Sequence, residues 1–182
     1  MVTAIIITII VLIALTFFIY YNRFVRLSHQ VDNSLAQINV QLKKRSDLVP
    51  NLLNSVKGYM KHERKIISEV TEARKALVGA RNMEKKMKAG NKLQSALKSI
   101  FAIAENYPDL KANQNFMQLQ EELSGTENKI AYSRQFYNDN VQEFNREIQQ
   151  FPTNFVASMF KYKEKEFFKT KGVEREPVKV SF

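Results

Sequence analysis

The longest apolar run of the chain lies at its start. From Val2 to Tyr21 the sequence VTAIIITIIVLIALTFFIYY contains no charged residue, and about 20 such residues in a helix cover the roughly 30 Å hydrocarbon core of a bilayer. A cleaved signal peptide would have a basic region ahead of a shorter apolar run, whereas only Met1 precedes this one. The aromatic pair Tyr20 and Tyr21 is typical of a membrane interface. The run therefore predicts an uncleaved, single-pass membrane anchor.

Beyond the anchor, apolar residues recur at the heptad spacing that is typical of helices packed on helices. Two series, offset by four residues, form this seam: Val31, Ile38, Arg45, Leu52, Tyr59, Ile66, Ala73 and Ala80, with Leu35, Leu42, Val49, Val56, Glu63, Val70 and Leu77. Charged residues interrupt the seam only at Arg45 and Glu63. The seam predicts long helices that each bury one face.

Pro50 falls inside the seam, where a proline removes a backbone hydrogen bond and costs about 3 kcal/mol. Either one long helix kinks at this proline, or Ser46 or Asp47 caps a new helix that holds Pro50 in its first turn. The seam keeps its phase across Pro50, which favours the kink. On both alternatives we expect the residues from Asp47 to Lys86 to be helical.

Glycine, asparagine and proline divide the rest of the chain. Pro108 forbids a continuing helix and pushes the residue before it out of the helical region, and Asn113 is a suitable N-cap for the next helix. Pro152 ends that helix. The expected elements are a turn at Gly90 and Asn91, a short helix over Lys92–Glu105, an extended connection over Tyr107–Asn113, a long helix over Asn113–Gln150 and a short amphipathic helix over Asn154–Phe168.

Together these elements predict an all-α protein, in which an N-terminal transmembrane helix is followed by an antiparallel, up-and-down bundle of three to four long helices. The fourth helix would come either from residues 23–44, folded back, or from residues 154–168. The predicted domains are an anchor over residues 1–21, a helical bundle over residues 22–168 and a polar C-terminal tail over residues 169–182.

The chain carries a formal net charge of +10, and this charge is segregated along the sequence. Residues 22–45 and 81–98 are basic, whereas residues 117–151 are net acidic. Basic segments of this kind suit anionic lipid headgroups. The candidate contacts for an anionic surface are Lys85, Lys86, Lys88 and Lys92. Arg23 and Arg26 follow the apolar run, so the positive-inside rule predicts that the bundle lies on the cytoplasmic side.

The sequence offers little for catalysis or metal binding. It has no cysteine, which excludes thiol nucleophiles, disulfides and Cys-ligated metals. At His62 the stretch HERKI has Ile66 where the zinc-peptidase motif needs a second histidine. Neither His62 nor His29 has a glutamate three residues before it, as the metal sites of helical bundles require. We expect no enzyme activity, no cofactor and no metal.

Several charged residues fall where a bundle buries its core. Arg45 and Glu63 both lie on the seam, and on one helix they would be about 27 Å apart. Each therefore needs another partner, because an unpaired buried charge is costly. We hypothesise that Arg45 or Arg134 meets Glu122 or Glu127 across the bundle and fixes its register. The alternative is that these side chains extend to water.

Asn138 and Asn145 lie seven residues apart, on one stripe of the last long helix. Interhelical hydrogen bonds that specify alignment are the ordinary role of such residues. A ligand-binding strip is the alternative, and we favour the structural role.

Three long blocks of sequence are the most distinctive: DLVPNLLNSVKGYMKHE with VTEAR at 47–74, YPDLKANQNFMQLQEELSGTENKIAYSR at 107–134, and YNDNVQEFNREIQQFPTNFVA at 137–157. In these blocks and their order the chain resembles the LemA family of bacterial membrane proteins. The resemblance extends from Tyr20 to the closing PVKVSF and is least characteristic over residues 81–92. It implies a single membrane helix that carries an antiparallel four-helix bundle in the bacterial inner membrane. It implies no catalytic residue and no cofactor, and relatives encoded near a membrane metallopeptidase suggest an interaction role.

Two functions compete for this architecture. The first is a scaffold that presents its bundle to other envelope or membrane proteins, with homo-oligomers also considered. The second is binding or shaping of anionic membranes through the basic segments. It requires Pro50 to turn the chain back, since on a merely kinked helix a lysine hairpin would lie about 90 Å from the anchor. We expect no nucleic-acid partner, because the basic segments lack the interleaved aromatic residues of single-strand binders.

Overall fold

Six helices form the regular secondary structure of residues 1–60 and 62–168, the part of the chain that the computed structural model describes. In chain order they are α1 (Val2–Lys57), α2 (Arg64–Val78), α3 (Met83–Ala104), α4 (Pro108–Lys111), α5 (Gln114–Gln149) and α6 (Thr153–Met159). These residues contain no strand, so the all-α prediction is confirmed. The predicted polar tail over residues 169–182 lies outside the described residues.

Helix α1 begins with the apolar segment. An 18-residue window of this helix has a mean hydropathy of 3.0, and protein buries none of it. Its length and composition therefore suit a membrane span, as the sequence predicts. Pro50 lies inside the same helix. No new helix begins at Ser46 or Asp47, so the single helix through Pro50 is the alternative that the structure adopts.

The predicted helix from Asp47 to Lys86 is wrong, because the chain leaves α1 after Lys57 and enters α2 only at Arg64. The carbonyl oxygen of Val56 accepts hydrogen bonds from the N–H groups of Tyr59 and Met60, and Met60 is fully buried. The heptad phase records which faces are buried, and two antiparallel helices with a buried turn between them can keep the same phase. The heptad pattern alone therefore does not reveal that the chain reverses between α1 and α2.

The second turn lies earlier than predicted. Gly90 and Asn91 lie inside α3, and Gly90 is buried, so the turn expected there is wrong. The chain reverses instead over residues 79–82. Asn82 caps α3, because its Oδ1 accepts a hydrogen bond from the backbone N–H of Lys85 at 2.9 Å. The helix predicted over residues 92–105 therefore begins nine residues earlier, at the start of α3.

The connection before α5 is helical rather than extended. Pro108 is the first residue of α4, where a proline is tolerated, and Leu110 is fully buried. The Oδ1 of Asn113 accepts a hydrogen bond from the N–H of Phe116 at 3.2 Å, which confirms the predicted N-cap of the long helix. Helix α5 agrees with the predicted helix to one residue at each end.

Helix α6 is shorter than predicted. It ends at Met159, and Lys161 has a φ of 58°, a left-handed conformation that commonly terminates a helix. The N–H of Tyr162 bonds to the carbonyl oxygen of Ala157 at 2.9 Å, and residues 162–168 form no regular element. The helix expected over residues 154–168 is therefore wrong in its second half, and this segment cannot be a fourth long helix.

The chain forms two compact units: Met1–Leu35 with Arg134–Phe182, called the first unit, and Ala36–Ser133, called the second unit. In the second unit, the C-terminal part of α1, α2, α3 and the N-terminal part of α5 form the antiparallel bundle. Arg74 of α2 donates to Ser46 of α1, and Phe101 of α3 meets Phe116 of α5 edge-on, with ring centroids 6.0 Å apart. Residues 23–44 do not fold back as a separate helix, since they are continuous with the rest of α1.

In the first unit, α1, α5, α6 and residues 162–168 enclose an aromatic core. Phe24 stacks on Tyr162 with ring centroids 5.0 Å apart and meets Phe144 edge-on at 6.1 Å. Arg23 Nη2 lies 2.7 Å from Glu147 Oε1. Because higher residue numbers on α1 face lower numbers on α5, the two helices run antiparallel here.

Candidate functional site: a basic cleft in the helical bundle

A cleft of about 370 Å³ opens between α1, α2 and the start of α3 in the second unit. Its lining residues are Asn39, Leu42, Lys43, Ser46, Asp47, Arg74, Leu77, Val78 and Lys86. Those from α1 recur at intervals of three or four residues and so share one face of the helix. Lys86 contributes from the first turn of α3, just after the N-cap residue Asn82. We call this feature the basic cleft.

Three cations and one carboxylate set the electrostatics of the basic cleft: Lys43, Arg74, Lys86 and Asp47. Lys43 Nζ lies 2.9 Å from Asp47 Oδ2, and the two side chains are 77% and 55% exposed. Solvent screens such an exposed pair. The cleft as a whole therefore favours an anionic ligand.

Arg74 and Ser46 bring hydrogen-bonding groups to the cleft. Arg74 Nε donates to the carbonyl oxygen of Ser46 at 2.8 Å. The Ser46 hydroxyl is buried and has no hydrogen-bond partner within the described ranges. A buried polar group is normally satisfied, and a guanidinium can hold a carboxylate or phosphate with two parallel hydrogen bonds. The site thus offers both charge and directional donors to an anion.

An apolar wall faces these cations. Leu42 and Leu77 are buried at the base of the wall, and Val78 is 66% exposed at its edge. The cleft can therefore hold a ligand that carries an apolar group next to its negative charge.

The four lysines predicted to contact an anionic surface divide into two sets. Lys86 belongs to the basic cleft, where its Nζ donates to Asn39 Oδ1 at 2.9 Å. The other three are exposed on α3 at helical spacing: Lys85, Lys88 and Lys92. The hydrogen bond and charge of Lys88 hold the pKa of the Glu84 carboxyl below its ordinary value. These lysines occupy an ordered helix rather than a hairpin turn.

Arg45 and Glu127 meet in the second unit. The Arg45 side chain is 1% exposed, and its Nη2 contacts the Glu127 carboxylate. The pair borders a second cavity of about 210 Å³. Glu122 lies on the same helix as Glu127 and is partly exposed. The structure thus brings together one of the four arginine–glutamate pairs that the register hypothesis allows, and the role of this pair in register stays a hypothesis.

Glu63 and Arg134 have contacts that sequence reasoning missed. Glu63 lies just before α2 rather than on one helix with Arg45, and its Oε1 accepts a hydrogen bond from the Tyr107 hydroxyl at 3.4 Å. The Arg134 guanidinium lies over the Phe168 ring, 4.9 Å from its centroid. Such a contact between a cation and an aromatic face is favourable.

Asn138 and Asn145 bind the backbone of an extended segment in the first unit. Asn145 Nδ2 donates to the carbonyl oxygen of Lys165 at 2.9 Å, and its Oδ1 accepts from the Lys165 N–H at 2.8 Å. Asn138 makes the same two bonds to Phe168, at 3.1 and 2.7 Å. Seven helical residues rise about 10.5 Å and three extended residues span about 10 Å, so the two spacings match. We call these paired contacts the asparagine ladder.

Lys165 is the side chain of this region that sequence reasoning overlooked. Its Nζ lies 2.9 Å from Asp32 Oδ1 and 3.2 Å from Ser28 Oγ, and 5.3 Å from the centroid of the Phe144 ring. Arg74 and Ser46 of the basic cleft were missed as well. Lys165, Arg74 and Ser46 meet their partners only because of turns that the sequence prediction had put at other residues. The seven-residue spacing of Asn138 and Asn145 was the one local signal in the sequence for these contacts.

Comparison with known proteins agrees with this architecture. The model of the LemA family matches residues 34–182. The chain is 28% identical over 176 residues to protein LemA of Metamycoplasma hominis, with 93% of this chain and 79% of that protein covered. It is 25% identical over 189 residues to magnetosome protein MamQ 2 of Paramagnetospirillum magneticum, and 24% identical to magnetosome protein MamQ of Magnetospirillum gryphiswaldense, each with 90% of this chain and 70% of the relative covered. With a match that spans the helical bundle, the chain belongs to the LemA family.

Proposed function

We propose that this protein is a membrane-anchored, non-enzymatic scaffold of the cell envelope, and that its basic cleft holds an acidic segment of another envelope protein. The observation that carries the proposal is the meeting of Lys43, Arg74 and Lys86 around an open cleft of about 370 Å³. Membership of the LemA family and the apolar start of α1 support a membrane-associated protein.

An acidic peptide uses both walls of the cleft at once. Its carboxylates can reach Arg74 and Lys86, and a neighbouring apolar side chain can lie against Leu77 and Val78. Charge complementarity of this kind selects partners and speeds their encounter. The mixed lining therefore favours a protein segment over a purely ionic ligand.

The chemistry of the cleft supports binding rather than catalysis. Its lining side chains include no imidazole and no thiol. Within residues 1–60 and 62–168, no group of three or more histidine, aspartate or glutamate side chains is placed to hold a metal ion. Three cations against the single carboxylate of Asp47 suit the cleft to holding an anion in place.

We also propose that the protein is a single-pass protein of the inner membrane with its bundle in the cytoplasm. Arg23 and Arg26 stand directly after the apolar segment, and positive residues next to a span favour the cytoplasmic side. The acidic segment would then belong to the cytoplasmic part of another membrane protein of the envelope.

Site-specific photocrosslinking in cells tests the scaffold proposal. A photoreactive phenylalanine analogue replaces Val78 at the edge of the cleft, and a matched control carries it at Val40, an α1 residue outside the cleft lining. The two valines are similarly exposed, at 66% and 62%. We expect a discrete protein adduct from Val78 that Val40 does not give, and mass spectrometry of the adduct should identify an acidic segment.

Charge reversal separates this proposal from its alternatives. Lys43→Glu should abolish the Val78 adduct, whereas Lys92→Glu, a change on an exposed lysine of α3, should preserve it. Adducts of equal yield from Val78 and Val40 would contradict a specific cleft. Adducts to lipid instead of protein would contradict the scaffold and support the lipid alternative.

Binding of anionic lipid is the second candidate function. The chain does not turn back at Pro50, as the sequence-based form of this candidate required, but reverses between α1 and α2. The exposed lysine face of α3 is the observation that favours lipid binding. Lys85, Lys88 and Lys92 follow the spacing of one helical face. Full-length protein in vesicles of zwitterionic lipid should then capture a second population of anionic vesicles, and added salt should release them. Replacing all three lysines by glutamine should remove the capture, and capture that survives this change would eliminate this candidate.

A further inference from the structure

The C-terminal end of α5 and the whole of α6 lie at the membrane end of the first unit. Glu147 pairs with Arg23, which follows the apolar segment by two residues. Since α5 runs antiparallel to α1, the residues after Glu147 continue toward the apolar segment. The ring of Phe160 confirms this placement, because its centroid lies 4.6 Å from that of Tyr21, the last residue of the apolar segment.

Large apolar side chains are exposed at this end. Phe151 is 79% exposed, Phe155 61%, Met159 59% and Phe160 45%. Phe151 and Phe155 pack edge-on against each other, with centroids 6.0 Å apart, while Val156 and Ala157 on the opposite face of α6 are buried. We call the four exposed residues the aromatic rim. Helix α6 thus has one face in the protein core and one that no described residue covers.

Basic residues border the aromatic rim. Lys161 adopts a left-handed conformation with φ of 58°, a position where glycine is usual because a side chain is strained there. Lys161 and Lys163 are both exposed. Lys161 directly follows Phe160 in the sequence, so exposed lysines adjoin the aromatic rim along the chain.

We propose that the aromatic rim lies in the headgroup region of the same bilayer that the apolar segment of α1 crosses. The rim is continuous with the anchor through the contact between Phe160 and Tyr21. Aromatic residues concentrate at membrane interfaces, and a surface with aromatic residues beside lysines suits the boundary of acyl chains and anionic headgroups. The protein would then hold the membrane at two places, the anchor and the rim.

The position of the aromatic rim beside the anchor favours a lipid bilayer as its binding partner. Any protein partner on the rim would have to fit against a surface that starts where the chain leaves the membrane. Lipid headgroups are already present there whenever the anchor is inserted. The contact needs no further component and is independent of what the basic cleft binds.

Tryptophan fluorescence tests this proposal in the full-length protein, because the chain contains no tryptophan. The Phe155→Trp protein is reconstituted into vesicles of phosphatidylcholine and phosphatidylglycerol whose acyl chains are brominated near the headgroup. The matched control is Phe136→Trp, an exposed position of α5 in the same unit, 51% exposed and about 20 Å before the end of the helix. Circular dichroism confirms that both proteins keep their helix content.

We expect the Phe155→Trp protein to emit at shorter wavelength and to lose fluorescence in brominated vesicles, while the Phe136→Trp protein does neither. In detergent without brominated lipid the difference in quenching should disappear. Two unquenched proteins would overturn the proposal, since the rim would then be in water. Equal quenching of both would overturn it as well, since another face of the unit would then lie on the membrane.

Discussion

The asparagine ladder gives the sharpest prediction for stability. Replacing Asn145 by alanine removes both hydrogen bonds to the backbone of Lys165, which measure 2.8 and 2.9 Å. Asn145 is 8% exposed, so water cannot fully replace the lost partners. The N–H and C=O groups of Lys165 are then left to find others.

The expected loss follows from two bonds. A hydrogen bond contributes about 1 kcal/mol net, and leaving a buried group unsatisfied costs about 1–3 kcal/mol. We therefore expect Asn145→Ala to reduce the free energy of unfolding by about 2 kcal/mol, or the melting temperature by about 4–8 °C for a chain of this length. Because Asn138 holds the same segment, the double replacement should cost less than the sum of the single ones.

Thermal and urea unfolding of the full-length protein in detergent, followed by circular dichroism, measures this loss. Hydrogen exchange adds a local reading, since the Lys165 amide should exchange faster in the Asn145→Ala protein. The matched control is Asn140→Ala on the same helix. The side-chain nitrogen of Asn140 is buried without a hydrogen-bond partner among the described residues, so its removal breaks no such bond. Equal losses for Asn140→Ala and Asn145→Ala would refute the role of the ladder.

Three further predictions concern other parts of the chain. In a double-mutant cycle, Glu127→Ala should cost about 3 kcal/mol because it removes a carboxylate that pairs with the buried Arg45. The combination with Arg45→Met should show at least ~1 kcal/mol of coupling, and additive losses would contradict the register hypothesis. Burial raises the pKa of Tyr137, so as pH rises the unfolded chain loses its phenolic proton before the folded protein does. The stability due to this shift is complete below about pH 10 and is lost as pH rises through the raised pKa. Tyr137→Phe should therefore reduce the loss of stability at alkaline pH that urea unfolding measures. A cysteine introduced by Ser95→Cys on the exposed face of α3 should resist an impermeant maleimide in intact cells and react after permeabilisation; labelling of intact cells would place the bundle outside the cytoplasm.

Local signals in the sequence were sufficient for some elements. The unbroken apolar run predicted the start of α1, and Asn113 with Pro152 bounded α5 almost to the residue. These elements depend on composition, caps and breakers, which act over one or two helical turns. The all-α class followed from them.

The turns required information that the pattern does not contain. Helix α1 ends at Lys57 and α2 begins at Arg64, with Met60 buried between them, although the heptad phase passes through this reversal unchanged. Gly90 resembles a helix terminator but is buried inside α3. In both cases tertiary packing decided between two locally acceptable conformations.

Only part of the basic cleft could likewise be predicted from the sequence. The two basic segments could be seen from charge alone, but their meeting through Lys86 and Asn39 depends on the turn at residues 79–82. Arg74 lies in neither segment. Arg74 reaches the cleft because α2 runs antiparallel to α1, which brings the guanidinium against Ser46.

Helix α1 has a mechanical consequence for the protein in the membrane. It continues without interruption from the apolar segment through Phe24 and on past Leu35, so no hinge separates the span from the aromatic core of the first unit. Each residue of an α-helix turns it by about 100°. Inserting one residue between Tyr21 and Arg23 would therefore rotate the span relative to that core by about a quarter turn. The side of the span that meets its neighbours in the bilayer is thus tied to the orientation of the first unit, and a twist of one is transmitted to the other.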